Sequence, residues 1–153
     1  MNSPTPEEVA RRIRPALTKL YVMYFRLSEQ SSLTGPQLSL MTRLQENGAS
    51  RISHLAKMEG IRMPTASNAL HQLEQRGMVD RIRDTTDRRG VLVTLTDLGA
   101  TELKRVGEER TKYLAEMLST LDDKHLAKAD DLSELINTLA ETYGTVANSE
   151  KTN

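Results

Sequence analysis

The sequence contains no cysteine and no tryptophan. Without thiols, disulfide scaffolds, thiolate zinc sites, thiol redox sensing and cysteine nucleophiles are excluded. The few aromatic residues, Tyr21, Tyr24, Phe25, Tyr113 and Tyr143, leave the core to aliphatic side chains. No apolar run approaches the roughly 20 residues of a membrane span, and the N-terminus lacks the basic-then-apolar order of a secretory signal. A soluble cytoplasmic protein without a membrane partner is expected. Catalysis has little to build on. His54, His71 and His125 show no metal-ligand spacing, and neither a nucleophile elbow nor a phosphate-cradling loop is present. No metal, no cofactor and no enzymatic activity are expected.

An excess of charge of either sign is also missing: 21 basic residues balance 21 acidic ones. Zero net charge argues against a purely electrostatic nucleic-acid binder. The distribution is more informative. Residues 51–93 hold 8 basic and 5 acidic side chains, whereas residues 94–153 hold 7 and 12. A basic middle suits a segment that faces an anion, with acidic helices kept away from it.

The 153 residues fit one small domain with attached helices. Residues 1–6 read as a frayed end. Val9, Ile13, Leu17, Leu20, Tyr24 and Leu27 follow in helical steps, with Pro15 placing the main helix start near itself and a turn or kink upstream. Thr34 reads as the N-cap of a second helix, with Pro36 in its first turn, Leu38, Met41 and Leu44 inward, and Asn47-Gly48 at its end. A short helix near 53–59 carries Leu55 and Ala56, and Gly60 closes it. The next spans about 63–76, with Ala66, Ala69, Leu70 and Leu73 inward and Gly77 as its stop. Two short helices around a tight turn form a helix-turn-helix pattern.

The period then changes to two. Val79, Arg81 and Arg83 alternate with Asp80, Ile82 and Asp84, and the β-branched run Val91–Leu95 follows a polar loop ending at Gly90. Two antiparallel strands and a wing are expected. Thr96 caps a long helix with Leu98, Leu103, Val106, Tyr113, Met117 and Leu121 inward. Asp122 starts the last one, with Leu126, Ala129, Leu132, Ile136, Leu139 and Tyr143 on one face. The tail after Gly144 is polar and reads as loose. The fold class is mainly α with a small antiparallel β-wing. A winged helix-turn-helix at 33–96 lies between helices at 1–32 and 97–144, with a tail at 145–153.

The segments Ile52-Ser53-His54-Leu55-Ala56, Gly60-Ile61-Arg62-Met63-Pro64-Thr65-Ala66-Ser67 and Leu73-Glu74-Gln75-Arg76-Gly77-Met78-Val79-Asp80-Arg81 resemble the MarR family of bacterial regulators. Thr86-Asp87-Arg88-Arg89-Gly90, running into Val91–Thr96, is similar to that family's wing motif. The resemblance covers about residues 33–100. It implies a dimeric DNA-binding transcriptional regulator, a repressor in the first instance. The rival reading is a winged-helix module for protein–protein assembly.

A recognition helix presents its first turns to the major groove, where each base pair shows a distinct donor and acceptor pattern. Here those residues are Arg62, Met63, Pro64, Thr65, Ser67, Asn68 and His71, opposite the inward face. Arg62 stands where the family often has serine, so that helix lacks a capping oxygen. Glu59 stands where an apolar residue is common, with Met58 beside it to cover the gap. A guanidinium at a thin loop tip can enter the minor groove. The resemblance assigns that role to Arg89, oriented by Asp87, with Arg88 and Gly90 completing the tip. Arg51, Ser53, Arg76 and Arg83 are candidate phosphate contacts. The resemblance further implies that the first and last two helices interlock with a second copy, so that the homodimer reads a pseudo-palindromic operator on double-stranded DNA. It also implies a small lipophilic or aromatic effector between those helices and the DNA-binding lobe. Tyr21, Tyr24, Phe25, Met41, Tyr113 and Met117 are the candidates to line that site, and plain packing is the competing account of each.

Overall fold

The computed structural model describes residues 3–28 and 31–150, with residues 27, 28 and 144–150 as backbone alone. The first helix, α1, runs over Pro6–Ser28. It begins earlier than the sequence suggests because Thr5 and Glu8 form a reciprocal cap. The Thr5 amide donates to Glu8 Oε2 at 2.8 Å, and the Glu8 amide donates to Thr5 Oγ1 at 3.3 Å. Pro15 lies inside α1 and does not start it. Its missing N–H removes a bond to the Arg11 carbonyl, but both residues are exposed, so water can replace the lost donor. The side chain of Leu27, assigned to the apolar stripe, lies outside the described residues.

Helix α2, Gly35–Asn47, starts at the expected Thr34 cap, which forms a full capping box with Gln37. Its buried face is Leu40, Met41 and Leu44, with Leu38 half-buried. Helix α3, Ile52–Glu59, ends at Gly60 in the left-handed region, φ 63°, a conformation that glycine adopts without steric cost. Helix α4, Met63–Gln75, buries Ala66, Ala69, Leu70 and Leu73. Gly77 then turns the chain at φ 71°. Strands β1, Val79–Arg83, and β2, Val91–Leu95, pair antiparallel with Val79 opposite Leu95 and Arg83 opposite Val91. Ser50 makes a two-way backbone bridge to Val93 at 3.0 and 2.8 Å, which ties the entry to α3 onto the hairpin.

Helix α5, Asp97–Leu118, is capped by Thr96. Helix α6, Asp123–Glu150, is capped by Asp122, whose carboxylate accepts the His125 amide at 2.8 Å. The backbone of α6 stays helical past Gly144, where the sequence suggests a loose tail. Residues 151–153 lie outside the described residues. The core gathers Leu33, Leu40, Leu55, Leu70, Leu73, Val79 and Val93, joined by Leu103 and Val106 of α5.

The apolar stripes of α1 and α6 do not join that core. Leu17 and Tyr21 are each 59% exposed, Leu139 is 67% exposed, and no described residue of α6 is fully buried. Leu98 and Leu121, expected inward, are exposed as well. An apolar groove between α1, α5 and α6 is lined by Leu20, Leu114, Leu118, Leu126, Leu132 and Ile136.

Candidate DNA interface

Helix α4 places its candidate contact residues as its period requires. Met63, Pro64, Thr65, Asn68 and His71 are exposed opposite the buried face, and Ser67 is half-buried at its margin. Arg62 occupies the N-cap position with no side-chain cap, so its exposed guanidinium is free to reach outward. His71 Nδ1 lies 4.0 Å from Glu74, and Glu74 is held by Arg81 Nε at 2.9 Å. That pair fixes the end of α4 against β1. Gln37 Nε2 donates to Gln72 at 2.9 Å, joining α2 to the back of α4. Glu59 is held by Arg43 Nε at 2.7 Å and by the Ser39 hydroxyl. Polar pairing, as well as the half-buried Met58, thus fills the place expected to be apolar.

At the wing, Asp87, Arg88 and Arg89 are exposed and Gly90 is half-buried. Gly90 closes the loop by donating to the Asp87 carbonyl at 2.8 Å. The Asp87 carboxylate accepts the Arg89 backbone amide at 3.1 Å, so it orients Arg89 through the main chain and leaves the guanidinium free. Its other oxygen takes Arg51 at 3.1 Å, and the same Arg51 nitrogen binds Asp84 at 2.9 Å. Asp84 is lowered in pKa chiefly by the Arg51 bond. Asp87 is lowered first by the Arg89 amide and then by Arg51.

The four candidate phosphate contacts therefore divide. Arg51 is occupied by the two wing carboxylates. Arg76 donates to the Ser32 carbonyl at 2.7 Å. Ser53 and Arg83 remain exposed. Arg83, Arg88 and Arg89 have no ion-pair or hydrogen-bond partner for their guanidinium groups among the described residues. Asp84 was not singled out from the sequence, since its role appears only when the hairpin brings it beside the start of α3.

The six candidate effector residues do not converge. Met41 is fully buried in the core. Tyr21 and Phe25 stack at 4.3 Å on the exposed side of α1. Tyr113 donates to Glu109 at 3.3 Å, and Met117 is half-buried on α5. Tyr24 does line a cavity of about 370 Å³, together with Leu38, Thr42, Gln45, Leu103, Gly107, Arg110, Thr111 and Leu114. Arg110 is 9% exposed, its Nε has no hydrogen-bond partner among the described residues, and its guanidinium carbon lies 5.9 Å from the Tyr24 ring centre. The sequence carried a signal for this residue: an arginine in helical register with Leu103 and Val106 on a buried stripe.

Paired helices, a two-stranded wing with unpaired arginines at its tip, and a polar outer face on the second helix define a winged helix-turn-helix DNA-binding protein. The family model described as MarR family matches residues 33–91. The Mycobacterium bovis HTH-type transcriptional regulator Mb0904 is 34% identical over 110 residues, covering 67% of this chain and 77% of its own length. The Bacillus subtilis HTH-type transcriptional repressor MdtR is 26% identical, with 74% of each chain covered. The chain belongs to the MarR family and is a DNA-binding transcriptional regulator. In fold it is similar to Bordetella bronchiseptica BpsR, whose DNA binding is regulated by 6-hydroxynicotinic acid. The TM-score is 0.66 at 21% identity, covering 92% of this chain and 98% of that one.

Proposed function

We propose that the protein is a homodimeric repressor that reads a pseudo-palindromic operator and is released by a small aromatic effector. The observation that carries the DNA reading is the sorting of arginines at the wing. Arg51 and Arg81 are ion-paired at its base, while Arg88 and Arg89 stand at its tip without a partner among the described residues. The exposed stripes of α1 and α6 support the second copy, because apolar patches this extensive mark an interface. In this division of labour 1–32 and 97–144 assemble the dimer and 33–96 bind DNA, in the compartment that holds the chromosome. The Tyr24 cavity supports an effector with an aromatic ring and an acidic group. A buried guanidinium nitrogen without a partner favours an anion there.

The test is Arg89→Ala, measured against a duplex that the wild-type protein selects from a random-sequence pool. Affinity should fall by at least about 1 kcal/mol, the scale of one good polar contact to a base, while the protein keeps its native melting behaviour. Unchanged affinity removes Arg89 from the interface, and failure to select any sequence removes the operator reading altogether.

A further inference from the structure

We propose that Arg51 is the positioning residue of the wing: by clasping Asp84 and Asp87 it sets where Arg89 is presented to DNA, and it does not itself contact phosphate. The inference rests on the reading of Arg89 given above.

Arg51 is the last residue before α3, so its backbone belongs to the helix-turn-helix while its side chain reaches the hairpin. A single guanidinium nitrogen meets Asp84 Oδ2 at 2.9 Å and Asp87 Oδ2 at 3.1 Å. The other carboxylate oxygens face the loop. Asp84 Oδ1 accepts the Thr86 amide at 2.9 Å, and Asp87 Oδ1 accepts the Arg89 amide at 3.1 Å. Each aspartate thus links Arg51 to a backbone position in the wing, one of them Arg89 itself. Gly90 shows how closely the parts fit: a Cβ there would lie 2.7 Å from the Arg51 nitrogen and 3.2 Å from Asp84 Cβ. The Ser50–Val93 bridge fixes the main chain immediately before Arg51 to β2, so the clasp pulls against a rigid anchor. Without Arg51, two neighbouring carboxylates would be left facing one another and the DNA polyanion.

A double-mutant cycle separates positioning from contact, because residues acting through one another are not additive. Affinity for the selected duplex and for a scrambled duplex of equal composition is measured for Arg51→Ala, Arg89→Ala and the double variant. Arg51→Ala should lower affinity for the selected duplex about fivefold or more, equivalent to about 1 kcal/mol. In the Arg89→Ala background the same change should cost less than about twofold, which is under ~0.5 kcal/mol. Multiplying losses, or no loss from Arg51→Ala, overturn the proposal. If Arg89→Ala itself has no effect, the reading of Arg89 fails first and visibly.

The double substitution Asp84→Asn with Asp87→Asn gives a second arm with Arg51 intact. Asparagine keeps an acceptor for the Thr86 and Arg89 amides and replaces only the oxygens that hold Arg51. Positioning predicts a lower ratio of selected to scrambled affinity, even though two negative charges have gone. An equal rise on both duplexes, with the ratio unchanged, would show that the two carboxylates act through their charge and not by setting the wing, and would overturn the proposal.

Discussion

Two glycines on α5 offer a paired test of how the DNA-binding lobe is docked on its helix. At Gly99 a Cβ would fall 2.0 Å from the Met78 carbonyl oxygen and 2.9 Å from Leu95 Cδ1. A carbon–oxygen contact needs roughly 3.3 Å, so a gap of more than an ångström must open. The obstructing atom is backbone, and the same oxygen accepts the Thr96 amide at 3.1 Å, so it has little freedom to retreat. Overpacking costs about 1–3 kcal/mol and at times more, against a helix-propensity gain of about 1 kcal/mol. A clash with fixed backbone belongs at the upper end of that range, so Gly99→Ala should destabilise by roughly 2 kcal/mol net. At Gly107 nothing lies within 4 Å of a built Cβ, so Gly107→Ala should stabilise by about 0.5–1 kcal/mol. On the scale of about 2–4 °C per kcal/mol for a chain of this size, the two melting points should move apart by several degrees in opposite directions. Thermal melts at one fixed protein concentration decide the matter, since dimer stability depends on concentration. A Gly99→Ala protein as stable as wild type refutes the backbone docking, and a destabilised Gly107→Ala refutes the open space.

Leu135→Asp with Leu139→Asp, both on the exposed face of α6, should give a folded monomer in sedimentation. Operator affinity should be weaker by about a hundredfold or more, because the second half-site no longer binds intramolecularly. A variant that remains dimeric places the interface elsewhere. Glu102 is held at about 2 by Arg105 and by the Ser32 hydroxyl, below its ordinary 4.5. A depressed folded-state pKa stabilises fully above the unfolded value, and that stability is lost as pH falls through the folded one. Glu102→Gln should thus flatten the acid dependence of stability between about 4.5 and 2, and melts that stay parallel to wild type across that window would dismiss the coupling. If the proposed effector class is right, aromatic carboxylates should raise the melting point of the wild type, and Arg110→Gln should abolish that shift. An undiminished upshift would show that Arg110 is not their anchor.

What was legible in the sequence was whatever a few neighbouring residues decide. Thr34, Gly60, Gly77 and Thr96 set their helix ends through bonds and backbone angles within a turn of themselves, and the switch to alternation at Val79 follows from strand geometry. Pro15 misled because an exposed helix tolerates a lost hydrogen bond that a buried one does not. Gly144 misled because one glycine weakens a helix without ending it. Arg51 and Arg76 look like free cations along the chain. Their partners, Asp84, Asp87 and the Ser32 carbonyl, lie across the fold. Met41 and Tyr24 both sit on apolar stripes, yet Met41 fills the core and Tyr24 is half-buried beside a cavity lined from α2 and α5, a difference that periodicity does not carry.

The same sorting explains how a chain of zero net charge binds a polyanion. Between 51 and 93, Arg51, Arg76 and Arg81 are engaged by Asp84 and Asp87, by the Ser32 carbonyl and by Glu74. Arg62, Arg83, Arg88 and Arg89 are exposed and have no partner among the described residues. Glu74, Asp84 and Asp87 thus do not merely dilute the charge of this segment; they hold Arg81 and Arg51, and on the proposed reading the remaining arginines meet DNA. On the proposed reading, counterion release scales with the free set, at about 0.9 in the salt slope per phosphate neutralised. Removing an engaged arginine would alter geometry and selectivity, and removing a free one would alter the slope.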